Sequence, residues 1–246
     1  MTEILQTKNL SKHFDGIRAV DRLSISIEKG MVTSIIGPNG SGKTTLINLI
    51  SGVIPSDSGV VIVNGFTLEK IETHNLPTYG ITRTFQDIRL FEQMTVQDNI
   101  LVVLTERGVL STLFGSGIHK KYYLKEVEDV LKRVNLFEKR DELAINLSYG
   151  QRKLLEIARA ISMKVDVFLF DEPFAGLFPE MMKIIISIIR ELKKQKKTVV
   201  LIEHDMNMIR ELSDHVIVMD EGRLLTEGKS EKVLSQKNVI DAYLGE

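Results

Sequence analysis

The segment Gly37-Pro38-Asn39-Gly40-Ser41-Gly42-Lys43-Thr44-Thr45 has the residue types and spacing to hold a chain of phosphates. Gly37 and Gly42 bracket four residues, and Lys43 and Thr44 follow, which is the pattern G-x-x-x-x-G-K-[ST]. Glycines let the backbone turn tightly enough for successive N–H groups to converge on phosphate oxygens. A helix starting at the same point adds partial positive charge. Lys43 has the reach for the terminal phosphates, and the Thr44 hydroxyl is a hard ligand for Mg²⁺. These residues imply binding of a nucleoside triphosphate.

Val167-Phe168-Leu169-Phe170-Asp171-Glu172-Pro173 puts two carboxylates at the tip of an apolar run. In open α/β sheets ligands lie beyond the carboxyl ends of the strands, where the phosphate loop also belongs. There Asp171 can hold Mg²⁺ through water, and Glu172 can polarise a water toward the γ-phosphate. The alternative is a solvated acidic turn. Leu147-Ser148-Tyr149-Gly150-Gln151 stands directly before the helical run Arg152 to Ala160. Read alone, Ser148 is a helix cap, and the same helix start offers its hydroxyl and N–H groups to an anion. From spacing alone Phe14 reads as a core aromatic and His204, a lone histidine after a strand, as structural.

The elements that must position these groups follow from periodicity. Met31 to Ile36 is a buried strand entering the phosphate loop, and Leu46 to Ile50 opens the helix leaving it. Ile4 to Glu28 alternates apolar and polar residues, as antiparallel strands with one wet face do. Ser58 to Gly65 is a strand ending in an Asn-Gly turn, and Gly80 to Phe85 a short strand delivering Gln86. From Thr95 to about Arg140 the pattern is helical, with a Gly/Ser/Thr-rich loop or frayed helix end at Gly108 to Gly117 and a charged amphipathic helix at Lys120 to Val134. The strand–helix alternation then resumes: a helix over Tyr149 to Ser162, a strand over Val165 to Phe170, a helix from Pro179 through Lys194 and a strand over Thr198 to Ile202. A helix from Met206, a strand at Val216 to Met219, a Glu221-Gly222 turn, another strand and a short helix finish the chain. The predicted fold class is α/β, a phosphate-loop core with a mostly parallel sheet, an N-terminal antiparallel β part and an inserted helical subdomain. The expected boundaries are 1–94 and 160–246 for the core and 95–159 for the insert.

The 246 residues suffice for such a domain, and 32 basic against 33 acidic residues leave a net charge of −1. No overall field points to nucleic acid or an anionic membrane surface. The absence of cysteine excludes disulfides and thiolate catalysis. No secretory signal is visible at the start, and the longest apolar stretch, Met181 to Ile189, is interrupted by Lys183 and Ser187. A soluble chain is expected.

Leu147-Ser148-Tyr149-Gly150-Gln151 ahead of Ile157-Ala158-Arg159-Ala160, combined with the phosphate loop and Asp171-Glu172, resembles the signature motif of ATP-binding-cassette ATPases. The resemblance covers essentially the whole chain. It implies that Gln86 is the residue that touches Mg²⁺ and senses a membrane partner, that His204 contacts the γ-phosphate or holds Glu172, and that Phe14 stacks on adenine. Pro38, Asn39, Gly40, Ser41, Gly42, Lys43, Thr44 and Thr45 would grip ATP, with Thr44, Gln86 and Asp171 on Mg²⁺. Ser148, Gly150 and Gln151 would close on the nucleotide of a second nucleotide-binding subunit, itself or a paralogue. Lys43, Gln86, Glu172 and His204 would be the catalytic set.

Arg83 to Phe91, Met94-Thr95-Val96, Asn99, Leu201 to Met206 and Val239 to Gly245 are similar to the branched-chain amino acid importer ATPases. That narrower resemblance implies transmembrane permease subunits as partners, a substrate-binding protein acting indirectly, no nucleic acid, and a peripheral place on the cytoplasmic face of the cell (inner) membrane. Phe178, in Ala175-Gly176-Leu177-Phe178-Pro179-Glu180, departs from the Asn usual in this loop. A GTPase or nucleotide kinase is disfavoured, because no Asn-Lys-x-Asp motif appears and Leu147 to Gln151 would go unexplained. An exporter ATPase shares the chemistry. A non-transport cassette of DNA repair or translation typically carries coiled coils or tandem cassettes, which this chain lacks.

Overall fold

The computed structural model describes residues 2–68, 70–105 and 117–244. The Gly/Ser/Thr-rich loop expected before Gly117 lies almost wholly outside them. The described chain forms two compact units, one of residues 1–83, 165–172 and 189–246, the other of residues 84–164 and 173–188.

The first unit is built on two sheets. In one, β1 (Glu3–Phe14), β2 (Ile17–Glu28), β4 (Ser58–Val63) and β5 (Phe66–Leu68) lie antiparallel in the order β2-β1-β4-β5. The other contains β3 (Val32–Ile36), β6 (Ile81–Arg83), β7 (Val167–Asp171), β8 (Thr198–Ile202), β9 (His215–Asp220) and β10 (Arg223–Lys229). Its order is β10-β9-β3-β8-β7-β6, parallel except for the β9–β10 hairpin. Asn64-Gly65 and Glu221-Gly222 close two-residue hairpins, with φ of 51° and 82° in the first and 44° and 75° in the second. Positive φ at both turn residues matches the right-handed twist of the flanking strands.

Helix α1 (Lys43–Ile50) packs Leu46, Ile47, Leu49 and Ile50 into a core shared by Leu5, Ile25 and Val63 of the antiparallel sheet and Ile35, Val200 and Ile202 of the parallel one. Each fully buried aliphatic side chain of this kind contributes about 1.5–3 kcal/mol, so the helix that leaves the phosphate loop is firmly held. The other face of the parallel sheet, through Ile36, Val216 and Val218, packs on Ile209, Val233, Leu234 and Val239. Burial on both faces explains why β3, β7 and β8 have no exposed position.

The second unit carries α2 (Val96–Thr105), α3 (Gly117–Arg133) and α4 (Tyr149–Ser162), and α5 (Pro179–Lys194) begins in it. The short helices α6 (Met206–Leu212), α7 (Ser230–Val233) and α8 (Lys237–Leu244) belong to the first unit. Thr73–Tyr79, for which periodicity makes no prediction, is a 3₁₀ helix containing Pro77. The strand expected over Gly80 to Phe85 stops at Arg83, because the Phe85 N–H donates to a carboxylate and not to a ladder. Among the described residues no helix is long and apolar enough to cross a membrane.

Candidate functional site

The phosphate loop joins β3 to α1 in the first unit. A Cβ at Gly37 would lie 2.1 Å from the Met219 carbonyl oxygen, and one at Gly42 would lie 2.2 Å from that of Ala19. These two glycines are therefore dictated by packing as well as by φ of 151° and 97°. Lys43 is buried, and its ammonium donates to the carbonyls of Gly37 (2.7 Å) and Pro38 (2.8 Å). The lysine thus braces the loop from inside. Helix α1 has no side-chain cap and no acid in its first turn, so its first N–H groups and positive dipole end are suited to an anion.

Asp171 ends β7, buried with Arg83 in an ion pair of 2.9 Å. The same guanidinium donates to Asn48 Oδ1 (2.7 Å), Ser51 Oγ (2.6 Å) and the Ile47 carbonyl (3.3 Å) at the far end of α1. Arg83 therefore ties the strand tip bearing Asp171 to the helix bearing Lys43 and Thr44. The sequence reading gave it no such place; its signal was a charged residue closing a short apolar strand. Removing one partner of a buried pair leaves an uncompensated charge. Arg83→Met is expected to lower the unfolding free energy by about 3–5 kcal/mol in urea titration, and a loss below about 1 kcal/mol would reduce the pair to surface-like strength.

The next residue, Glu172, holds φ of 47°, a left-handed conformation that non-glycine residues rarely adopt. Its N–H donates to the Ile202 carbonyl at 3.0 Å, so the turn is fastened to β8. One consequence is a 3.0 Å contact between Glu172 Oε1 and His204 Nε2. The histidine backbone is placed by Glu203 Oε2, which accepts from the His204 N–H at 3.0 Å, and Asp205 caps α6 through the Asn207 N–H at 2.8 Å. Strain of this kind costs about 1–3 kcal/mol and marks sites where side-chain aim matters. A carboxylate and an imidazole so placed can share a proton and orient a water.

Phe14, at the tip of the β1–β2 hairpin, is 43% exposed, with the Lys12 ammonium 5.5 Å from its ring centre. The exposure removes the core assignment that spacing alone favoured. If the ring stacks on a base, Phe14→Ala should weaken ATP and GTP equally, by about 1–3 kcal/mol. Unchanged affinity in a nucleotide titration would return the ring to the hairpin alone.

The second unit holds the remaining predicted residues. Gln86 follows Phe85 in the segment that opens this unit. Ser148 caps α4 in a reciprocal box: its hydroxyl accepts from the Gln151 N–H (3.4 Å), and Gln151 Oε1 accepts from the Ser148 N–H (3.0 Å). A hydroxyl that accepts still has its own proton to donate. A Cβ on Gly150 would meet Met181 Sδ at 2.3 Å and Leu177 at 3.3 Å, so a larger residue there would have to shift the Met181 side chain. Phe178, 72% exposed, stands just before α5 and its carbonyl accepts from the Met181 and Met182 N–H groups. It is not a core residue of its unit.

The phosphate loop between β3 and α1, with an acidic β7 tip beside β8, defines a phosphate-loop nucleotide-binding protein. Residues 20–175 match the ABC transporter family, and the chain belongs to it. It is 40% identical over 250 residues to the probable branched-chain amino acid transport ATP-binding protein LivG of Archaeoglobus fulgidus, covering 99% of this chain and 96% of that protein. An ATP-binding cassette of an ABC transporter in its ADP conformation superposes over 100% of both chains with TM-score 0.82 and 36% identity. A second cassette, a post-hydrolysis dimer bound to ADP and Pi, covers 92% of this chain and 99% of its own, with TM-score 0.81 and 26% identity. The chain is accordingly an ATPase of the ATP-binding-cassette type.

Proposed function

We propose that this ATPase powers a membrane importer for branched-chain or similar amino acids, as a peripheral subunit on the cytoplasmic face of the membrane. The observation that carries the reading is the near full-length identity to a branched-chain amino acid transport ATP-binding protein. On this reading an ATPase core carries a helical subdomain whose partner is a permease. A substrate-binding protein acts upstream of that permease.

The chemistry follows from the groups described above. Lys43 exchanges the Gly37 and Pro38 carbonyls for phosphate oxygens, and the N–H groups from Asn39 to Thr45 hold the rest of the polyphosphate. The candidate metal donors, the Thr44 hydroxyl, the Gln86 amide oxygen and the Asp171 carboxylate, are all hard oxygens. No group of three or more His, Cys, Asp or Glu among the described residues could hold a metal. That donor set fits Mg²⁺, which keeps several waters and takes few protein ligands. When bound, Mg²⁺ neutralises charge on the β- and γ-phosphates. Glu172 orients the attacking water and takes up its proton, while His204 steadies Glu172 or the γ-phosphate. Catalysis is then mostly positioning and charge stabilisation. Ser148, Gly150 and Gln151 complete the site of a second subunit, a role supported by the dimeric cassette similar to this chain.

The test is reconstitution of the chain with its co-purifying permease in liposomes containing ATP, with the substrate-binding protein supplied outside. Accumulation of labelled leucine, isoleucine or valine that requires luminal ATP is the expected result. Efflux would make the complex an exporter, and ATPase activity with no membrane protein co-purifying would remove the transport role.

A further inference from the structure

Glu156 and Arg159 stand one turn apart on α4, and neither has a part in the chemistry above. Glu156 is 5% exposed in the middle of a helix whose neighbouring positions, Leu155 and Ile157, are fully buried. Its Oε1 accepts the Phe85 N–H at 3.1 Å, and its Oε2 is buried. Burial raises the pKa of this carboxyl, against the lowering effect of the Phe85 and Arg89 amides and of Lys153 and Arg159. A buried carboxyl is costly unless it is hydrogen-bonded, paired or neutralised.

Arg159 holds the other end of the same segment. Its guanidinium donates to the Arg89 carbonyl at 2.5 Å and lies 4.9 Å from the ring centre of Phe91. The Arg89 guanidinium in turn covers the Phe85 ring at 3.9 Å. Beyond the segment, the buried Asn99 side chain exchanges hydrogen bonds with the Phe91 N–H and carbonyl, both at 3.0 Å. Phe85 to Phe91 is irregular backbone, yet α4 grips it at Phe85, Arg89 and Phe91. Gln86 is the residue next to the first grip.

We propose that Glu156 is a positioning residue: with Arg159 it makes the Gln86 segment and the Ser148 helix a single moving piece. Whatever displaces residues 85–91 then displaces Ser148 and Gln151 with them, since all are fixed to α4. This rests on the ATPase reading of Gln86 and Ser148, but the clamp itself can be observed without turnover. A carboxylate oxygen is needed only as an acceptor, so the amide oxygen introduced by Glu156→Gln could replace it, whereas the leucine side chain of Glu156→Leu could not.

The experiment compares wild type, Glu156→Gln and Glu156→Leu by amide hydrogen exchange and by steady-state ATP hydrolysis. In wild type the Phe85 amide should be protected as strongly as those of α4, and Glu156→Leu should lose that protection while Glu156→Gln keeps it. Glu156→Leu should lower kcat about ten- to hundredfold with little change in KM for ATP, because Gln86 is misplaced while the phosphate grip of Lys43 is intact. Glu156→Gln should restore kcat. A Phe85 amide that exchanges freely in wild type overturns the clamp, including where Glu156→Leu proves unfolded. Opened exchange with unchanged kcat overturns the positioning role alone. Wild-type protein with protected amides and no turnover in any assembly sinks the ATPase reading and leaves the clamp to be judged on exchange.

Discussion

Glu172→Gln is expected to bind ATP with near wild-type affinity and to hydrolyse it about 10²–10⁴-fold more slowly, the usual loss when general-base assistance is removed. In the proposed site the ground-state grip on the phosphates would belong to Lys43 and the loop N–H groups, whereas the Glu172 contacts run to Ile202 and His204. Glu172 sits in a left-handed turn held by the Ile202 carbonyl, with His204 Nε2 3.0 Å away. Glutamine keeps the shape and can still meet the histidine, but it cannot take a proton from water. Slowed hydrolysis should therefore trap an ATP-bound dimer, visible as an earlier peak in size-exclusion chromatography with ATP and Mg²⁺. Near-normal turnover would remove Glu172 from the catalytic set and leave its backbone strain without a catalytic reason.

Much of the fold could be read from local pattern because its elements carry their own start and stop signals. Helix α4 begins at Ser148, whose capping box with Gln151 is complete within four residues, and α5 begins at Pro179, pre-set for a first helical position. Strands β7 and β8 are short apolar runs buried on both faces. The phosphate loop was equally legible, since its glycines, lysine and threonine act within nine residues. What the sequence hid is long-range pairing. Arg83 meets Asp171 across 88 positions and Glu156 meets the Phe85 N–H across 71. No local period records such a contact. A charged residue on an apolar stripe, as Glu156 is, was the available signal, but it names no partner. The end of β6 failed for the same reason, since a distant carboxylate took the N–H that would have extended the strand. Phe14 shows the converse. Spacing favoured a core aromatic, whereas the hairpin carries the ring out to solvent because β1 and β2 both end beside it.

The largest expected effect comes from two inactive proteins that become active when mixed. Lys43→Ala removes the ammonium that braces the phosphate loop and, in the proposed site, would reach the nucleotide. Ser148→Arg replaces the α4 cap with bulk and positive charge. The two residues lie in different units of the chain. If each active site joins the loop of one chain to the Ser148 helix of another, both sites of either mutant homodimer carry one fault, and each protein alone should show background hydrolysis. A mixed dimer distributes the faults unevenly. One site combines both, and the other combines an intact loop with an intact Ser148 helix. Mixing should then restore hydrolysis from that single site, in proportion to the mixed dimers counted by differential tags. Mixed dimers that form and stay at background exclude independent shared sites. Two explanations then remain: hydrolysis needs both sites intact together, or Ser148 does not reach the neighbouring nucleotide. Adding Glu172→Gln to the Ser148→Arg chain separates them, because its own loop is intact and faces the undamaged Ser148 of the Lys43→Ala chain. One ATP retained per mixed dimer means that the shared site assembles and that turnover requires both. None retained means that the site is not shared.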